Sequence, residues 1–412
     1  MNKVQNVFAK IIKSSLTDNK NLCASDANDL PRAEYAELVR LVRIHKLSAL
    51  VFDEFKMLSL CPPALMRQID QMALSTVNTS FDLLYVSKDI SERLFQNGIP
   101  SVIIKGITAA SYYTQPLYRK SGDIDLLIPQ TILYDAVDVC KGIGYEVKEI
   151  QRAHHHVVMA KEGSPDIELH TMLAEPFDDE GVNALLSDQV ARLFEDLEKD
   201  KKCFQTKDIL GISFEMLSNA YMAYELLIHM LQHYLRSGFG IRLLCDWVVL
   251  WNNPECESAA DEYLSLVDEC GIKGFSDMIT SVCVRYLGLD ERALNLLKVN
   301  TSFTDEELEI FFSEFLSAGE FGKTSNERMV SLRGNTPIDY FREFHHQMKL
   351  NFPKASKIFL IWPILWIVTF VRFMVNNKKV RNVKLSAVIT KAGERGKLNR
   401  KLGLFSQKNS IF

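Results

Sequence analysis

Apolar and polar positions follow two rhythms along this chain, helical at first and then, past Asn97-Gly98, that of short strands. From residue 1 to about 95 the spacing is helical. Ala33-Glu34-Tyr35-Ala36-Glu37-Leu38-Val39-Arg40-Leu41-Val42 follows Pro31, and Pro63 to Phe95 continues with Leu83, Leu84, Val86, Ile90 and Leu94 on one face. This stretch offers no chemistry and reads as a helical platform. Asn97-Gly98 then turns the chain into Val102-Ile103-Ile104, an apolar β-branched run that predicts a buried strand and breaks at Lys105-Gly106. A short helical pattern, a basic turn at Arg119-Lys120-Ser121-Gly122 and a second strand opening with Asp123-Ile124-Asp125 complete the unit.

Thr131 to Gly144 predicts an amphipathic helix ending at glycine, and Tyr145-Glu146-Val147 and His156-Val157-Val158-Met159 predict strands. Asp166-Ile167-Glu168-Leu169-His170 alternates strictly. Ile167 and Leu169 should face a core, while Asp166, Glu168 and His170 share the polar face. From Val182 to Met348 the pattern is mostly helical, with charge-rich linkers such as Glu195 to Lys202. Ile358 to Val371 is an apolar stretch of fourteen residues with Pro363 inside it. That is short of the ~20 needed to span a bilayer. A helix docked on the body ranks first, a membrane-surface segment second and a true span last.

The resulting expectation is an α+β chain: a helical region over 1–95, a small mixed-sheet core over 96–180, a helical domain over 181–348, and an apolar segment with a basic tail over 349–412. At 412 residues, 47% hydrophobic and 24% charged, the chain can bury a sizeable core and has no low-complexity segment. The net charge of −4 conceals +10 from Arg372 onward, which leaves −14 on the preceding residues. A body that acidic argues against general nucleic-acid binding, although the tail suits an anionic surface. The eight cysteines are scattered without a CxxC pair, which argues against a zinc ribbon or a disulfide framework. The N-terminus is interrupted by lysines and has no signal-peptide core, so a cytoplasmic location is expected, with contact at the inner membrane surface as an option.

Asp123 and Asp125, two apart in a strand, project to the same side and repel each other unless a cation lies between them. Hard oxygen ligands of this kind suit Mg²⁺. A mixed sheet could bring Glu168 beside them, although Asp166 on the same face competes for that place. His154-His155-His156 invites a metal reading. Only His154 and His156 would share a face, however, and no further ligand is evident nearby, so a substrate-facing or solvated strand is preferred. His229 and His233 lie four apart in a helix, but Met230 stands where a zinc protease needs glutamate.

The ordered set of a strand ending in Lys105-Gly106, a helix, a tyrosine-rich segment, Arg119-x-Ser121-x-Asp123-Ile124-Asp125-Leu126-Leu127-Ile128 and a later Glu168-Leu169-His170 strand resembles the uncharacterised bacterial nucleotidyltransferase family of the DNA polymerase beta-like superfamily. Abortive-infection toxins of the AbiEii type show a similar element. The resemblance implies that Asp123 and Asp125 are the metal-binding pair. It makes Glu168 a third carboxylate that binds metal and activates the attacking hydroxyl, with Mg²⁺ or Mn²⁺ as cofactor and an NTP as substrate. Lys105, Gly106, Arg119 and Ser121 would contact the nucleotide, although Ile107 stands where other superfamily members have serine. His229, His233, Arg242 and Asp246 match a further part of the family pattern. They would either line a substrate cleft or be buried structural groups. The implied reaction moves a nucleoside monophosphate onto an unidentified sugar, metabolite, protein or RNA. The alternatives are a catalytically inactive nucleotide- or partner-binding module and a toxin-type enzyme that modifies RNA.

Overall fold

A computed structural model of the chain describes residues 1–17, 30–150, 156–174, 177, 180–199, 201–236, 238–319, 337–352, 355–376 and 396–403. Its centre is a mixed sheet of β1 (Val102–Ile104), β2 (Asp123–Leu127), β3 (Glu146–Ile150), β4 (His156–Ala160), β5 (Asp166–His170), β6 (Phe204–Ile209) and β7 (Ile212–Leu217). The spatial order is β3-β4-β5-β2-β1-β7-β6. β2 runs parallel to β5 and antiparallel to β1, and β1 runs parallel to β7.

Alternation along the strands divides the apolar residues between two cores. Ile103, Ile124, Leu126, Ile167 and Leu169 point to one side. There the 34-residue helix Pro63–Gln96 covers them with Leu83, Leu84, Ile90 and Leu94, and the helix Leu133–Gly142 adds Ala136, Val137 and Cys140. The long helix opens on proline, whose fixed φ suits a first turn, and its exit is a glycine at φ +71°. Val102, Ile104 and Leu127 point the other way, into a larger core shared with the helices Lys3–Leu16, Glu34–Ile44, Asn219–Arg236 and Ile241–Asn252. Asp123 and Asp125 alternate with Ile124 and Leu126, so they lie on this second face.

Two regions depart from expectation. The stretch expected to be helical after residue 182 contains the hairpin β6–β7, whose connection Leu210-Gly211 has φ of +56° and +83°. Two successive residues in that region match a tight type I′ turn. The first half of the charged stretch, Glu195 to Glu198, is the end of the helix Glu180–Glu198, not a linker.

The apolar C-terminal stretch forms the helix Trp362–Asn376, with Pro363 in its first turn and not in its interior. It docks on the helix Pro337–Asn351, where the Trp366 indole N–H donates to His345 Nδ1 at 3.2 Å. Ile364, Ile367, Phe370 and Val371 on its other side are each more than half exposed. Among the described residues no helix is long and apolar enough to cross a membrane.

Candidate active site

Strand register gathers the site. β2 and β5 pair so that Asp123 lies opposite Asp166, Asp125 opposite Glu168 and Leu127 opposite His170. β4 sets His156 opposite His170. Directly paired residues share a face of the sheet, so Asp123, Asp125, Glu168, His170 and His156 all project to one side. They open into a cavity of about 670 Å³, within the range typical of small-molecule sites. Asp166 is turned to the rim, where Lys148 Nζ pairs with it at 3.0 Å, so Glu168 is the β5 acid that lines the cavity.

Lys105 follows β1 with φ +56°, a strained backbone for a residue other than glycine. From there its Nζ donates to Asp125 Oδ1 at 2.9 Å and lies 3.3 Å from His170 Nε2. Burial works against this ammonium, but Asp125 and Glu225 outweigh it and raise the Lys105 pKa. His170 Nε2 also meets Asp125 Oδ1 at 2.7 Å and Glu168 Oε2 at 3.4 Å. Burial pushes the Asp125 carboxyl up, yet Lys105 and His170 pull it below its ordinary range. Glu168 behaves alike, lowered by His156 and His170 against its own burial. His170 is raised, because its contacts with the two carboxylates overcome burial and the nearby Lys105. Asp123 differs. Burial, then Asp125, then Glu168 push its carboxyl up to about 7.

Gly106 begins the next short helix, and a side chain there would bring a Cβ to 3.4 Å from Ser121 Oγ. The structure brings Arg119, Ser121 and Asp246 into one buried cluster. Arg119 grips both carboxylate oxygens of Asp246, at 3.0 and 2.7 Å, and donates to Ser121 Oγ at 2.6 Å. The Tyr113 hydroxyl donates to Asp246 Oδ1 at 2.7 Å. Arg119, expected to meet the nucleotide, therefore has its fork turned toward Asp246, and Asp246 holds that arginine in place. Arg242 lines the cavity and donates to the Lys120 carbonyl at 2.9 Å.

The helix Asn219–Arg236 supplies another wall. Glu225, His229, Gln232 and His233 follow helical spacing and all line the cavity. The rings of His229 and His233 meet edge to face at 4.5 Å. Burial lowers both, His233 to about 4, so both imidazoles are neutral at pH 7. Glu225 is 1% exposed, its Oε1 has no hydrogen-bond partner among the described residues, and burial followed by Asp125 raises it to about 7. Gln232 Nε2 is likewise buried without a hydrogen-bond partner there.

No motif singles out Glu225 or Gln232 in the sequence, although an acid within the apolar run Tyr221 to Leu231 is a visible signal. The histidine triplet likewise lacks neighbouring ligands along the sequence. Glu168 and His170 are those neighbours for His156, while His154 and His155 lie outside the described residues. The acids fit a divalent cation: Asp123 is a carboxyl that burial and neighbouring charge hold short of full ionisation.

The sequence profile of a family described as "uncharacterised nucleotidyltransferase" matches residues 31–288. The chain belongs to that family. The matched span contains the whole sheet, the helix Pro63–Gln96 and the two helices that close the cavity. Family membership supports nucleotidyl transfer as the general activity and a nucleotide as substrate. No curated protein matches the chain. Among solved structures, an antigenic nucleotidyltransferase-like protein from Paracoccidioides brasiliensis is similar at 17% identity and a TM-score of 0.29, covering 47% of this chain and 93% of that one.

Proposed function

We propose that the chain transfers a nucleoside monophosphate from an NTP to an acceptor hydroxyl, with Asp123, Asp125 and Glu168 holding Mg²⁺ or Mn²⁺. The observation that carries this reading is the register of β2 and β5, which aligns those acids along one wall of the cavity beside Lys105. Bound divalent ions would neutralise the triphosphate and stabilise the entering and leaving oxygens of an in-line displacement. Lys105 supplies a fixed positive charge for the phosphates, and Gly106 lets them approach its backbone N–H. Ser121, held by Arg119, borders that approach. Glu168 stays ionised beside two imidazoles, as suits a carboxylate that ligates a divalent cation. Glu225, His229, Gln232 and His233 form the acceptor side.

Incubating the protein with α-phosphate-labelled NTPs, Mg²⁺ and cell extract tests the reading. Label should pass to an acceptor and the transfer should disappear in Asp123→Ala/Asp125→Ala. Tight NTP binding without transfer to any acceptor would make the chain a binding module instead. A toxin-type transfer onto RNA is the weaker form of the proposal, because the first 371 residues carry a net charge of −14 that repels phosphates.

We further place the protein in the cytoplasm, against an anionic membrane surface. The exposed apolar side of the helix Trp362–Asn376 and the +10 charge from Arg372 onward support this. Sedimentation with phosphatidylglycerol vesicles at low salt, released by high salt, is the expected behaviour. Recovery entirely in the supernatant at low salt would contradict it.

A further inference from the structure

We propose that His156, Glu168 and His170 form a second cation position unlike the Asp123–Asp125 one: a mixed nitrogen–oxygen site for a divalent ion of intermediate softness, such as Mn²⁺, Fe²⁺, Co²⁺ or Zn²⁺. The proposal rests on the reading of this cavity as the divalent-cation site of a transferase. Its basis is geometric. His156 Nε2 lies 3.0 Å from Glu168 Oε2, and His170 Nε2 lies 3.4 Å from the same oxygen. One candidate ligand atom from each residue falls within 4.8 Å of the others. Ligands about 2.1 Å from a shared ion at octahedral or tetrahedral angles are separated by roughly 3.0 to 3.4 Å, which matches these contacts.

The histidines are also placed as ligands would be. Each presents Nε2 to the same carboxylate oxygen; the rings stack at 4.5 Å and 10°, so one must tilt for both lone pairs to meet a single ion. His156 is 5% exposed and lines the cavity, yet neither of its ring nitrogens has a hydrogen-bond partner among the described residues. Its contact with Glu168 is close without the alignment of a hydrogen bond. A buried imidazole in that condition costs stability unless something else occupies its lone pair. Asp125 Oδ1, 2.7 Å from His170 Nε2 and already accepting from Lys105 Nζ at 2.9 Å, links this position to the oxygen-only one. Imidazole nitrogens favour first-row transition ions, whereas Mg²⁺ favours oxygen throughout. The two positions should therefore differ in metal preference.

Co²⁺ and Zn²⁺, added to the full-length protein without nucleotide, provide the test. Co²⁺ should give visible absorption bands that 10 mM Mg²⁺ does not abolish. X-ray absorption of the protein carrying one equivalent of Zn²⁺ should show imidazole scattering. His156→Asn should weaken Co²⁺ binding by at least ~10-fold, the loss that even an outer-shell partner causes. The X-ray measurement on the unaltered chain holds even if that variant folds poorly. A zinc shell made only of oxygen, or Co²⁺ binding indifferent to His156→Asn in a folded variant, overturns the site. Label transfer with Mg²⁺ alongside an oxygen-only zinc shell would remove the histidine position and leave the transferase reading intact. Imidazole scattering without transfer to any acceptor would do the reverse.

Discussion

Two polar clusters meet at the cavity and differ in how completely they are paired. Around Arg119 a fork-on-fork ion pair with Asp246 is joined by Ser121 and Tyr113, and the side chains of the pair are 4% and 1% exposed. The other group sets the acids Asp123, Glu168 and Glu225 along the cavity beside His156. His156 and Glu225 contain buried atoms without hydrogen-bond partners, and Asp123 and Glu225 are pushed toward their neutral forms. A buried cluster that satisfies itself is architecture. One that needs an outside cation or donor to complete it is where a ligand belongs.

Breaking the paired cluster should have the largest effect. Arg119→Ala leaves Asp246 buried without its guanidinium and should cost about 3–5 kcal/mol in chemical denaturation. Arg119→Met/Asp246→Leu should recover most of that loss, since a buried pair is often replaceable by apolar side chains.

Breaking the under-paired cluster should spare the fold and remove the chemistry. Glu168→Gln should lower label transfer by roughly 10²–10³-fold with near-native circular dichroism, the cost of removing one preorganised charged group. A loss of structure equal to that of Arg119→Ala would erase the distinction between the clusters.

Asp123→Asn should abolish transfer and yet stabilise the metal-free protein. Above about pH 7 the carboxyl is ionised whether the chain is folded or unfolded, and the folded state bears the full cost of that buried charge. As pH falls below 7 the folded carboxyl takes up a proton before the unfolded one does, and the cost fades until about pH 4. The variant's advantage should be roughly 1–3 kcal/mol at pH 8, given the partial exposure of Asp123, and vanish near pH 4. Equal stability of variant and parent at both pH values would show that Asp123 bears no excess charge.

The smallest effect is expected at Gly106→Ala, whose Cβ would sit at ordinary contact distance from Ser121. Stability should change by less than ~1 kcal/mol, while the KM for NTP rises as the phosphate approach narrows. An unchanged KM would place the phosphates elsewhere.

What could be read from the sequence followed from local periodicity. Asp123-Ile124-Asp125 and Asp166 to His170 alternate because each strand has one apolar face, so their polar faces were visible before any partner was known. The helix Pro63–Gln96 was equally plain from Leu83, Leu84, Ile90 and Leu94. The hairpin β6–β7 was obscured because Gln205, Thr206, Lys207 and Asp208 interrupt the apolar pattern of its outer strand. The pairing of Arg119 with Asp246 was hidden because the two lie 127 residues apart, Asp246 on a helix whose docking no local pattern reveals. Glu225 and His156 face the cavity for the same reason: their roles depend on how separate elements meet.

The most direct test is a structure of the protein soaked with a non-hydrolysable NTP and Mg²⁺. The triphosphate should lie against Lys105 and Gly106, with metal touching Asp123, Asp125 and Glu168. A nucleotide bound outside the cavity, or one inside it whose phosphates and metal avoid all three acids, would contradict the proposed site.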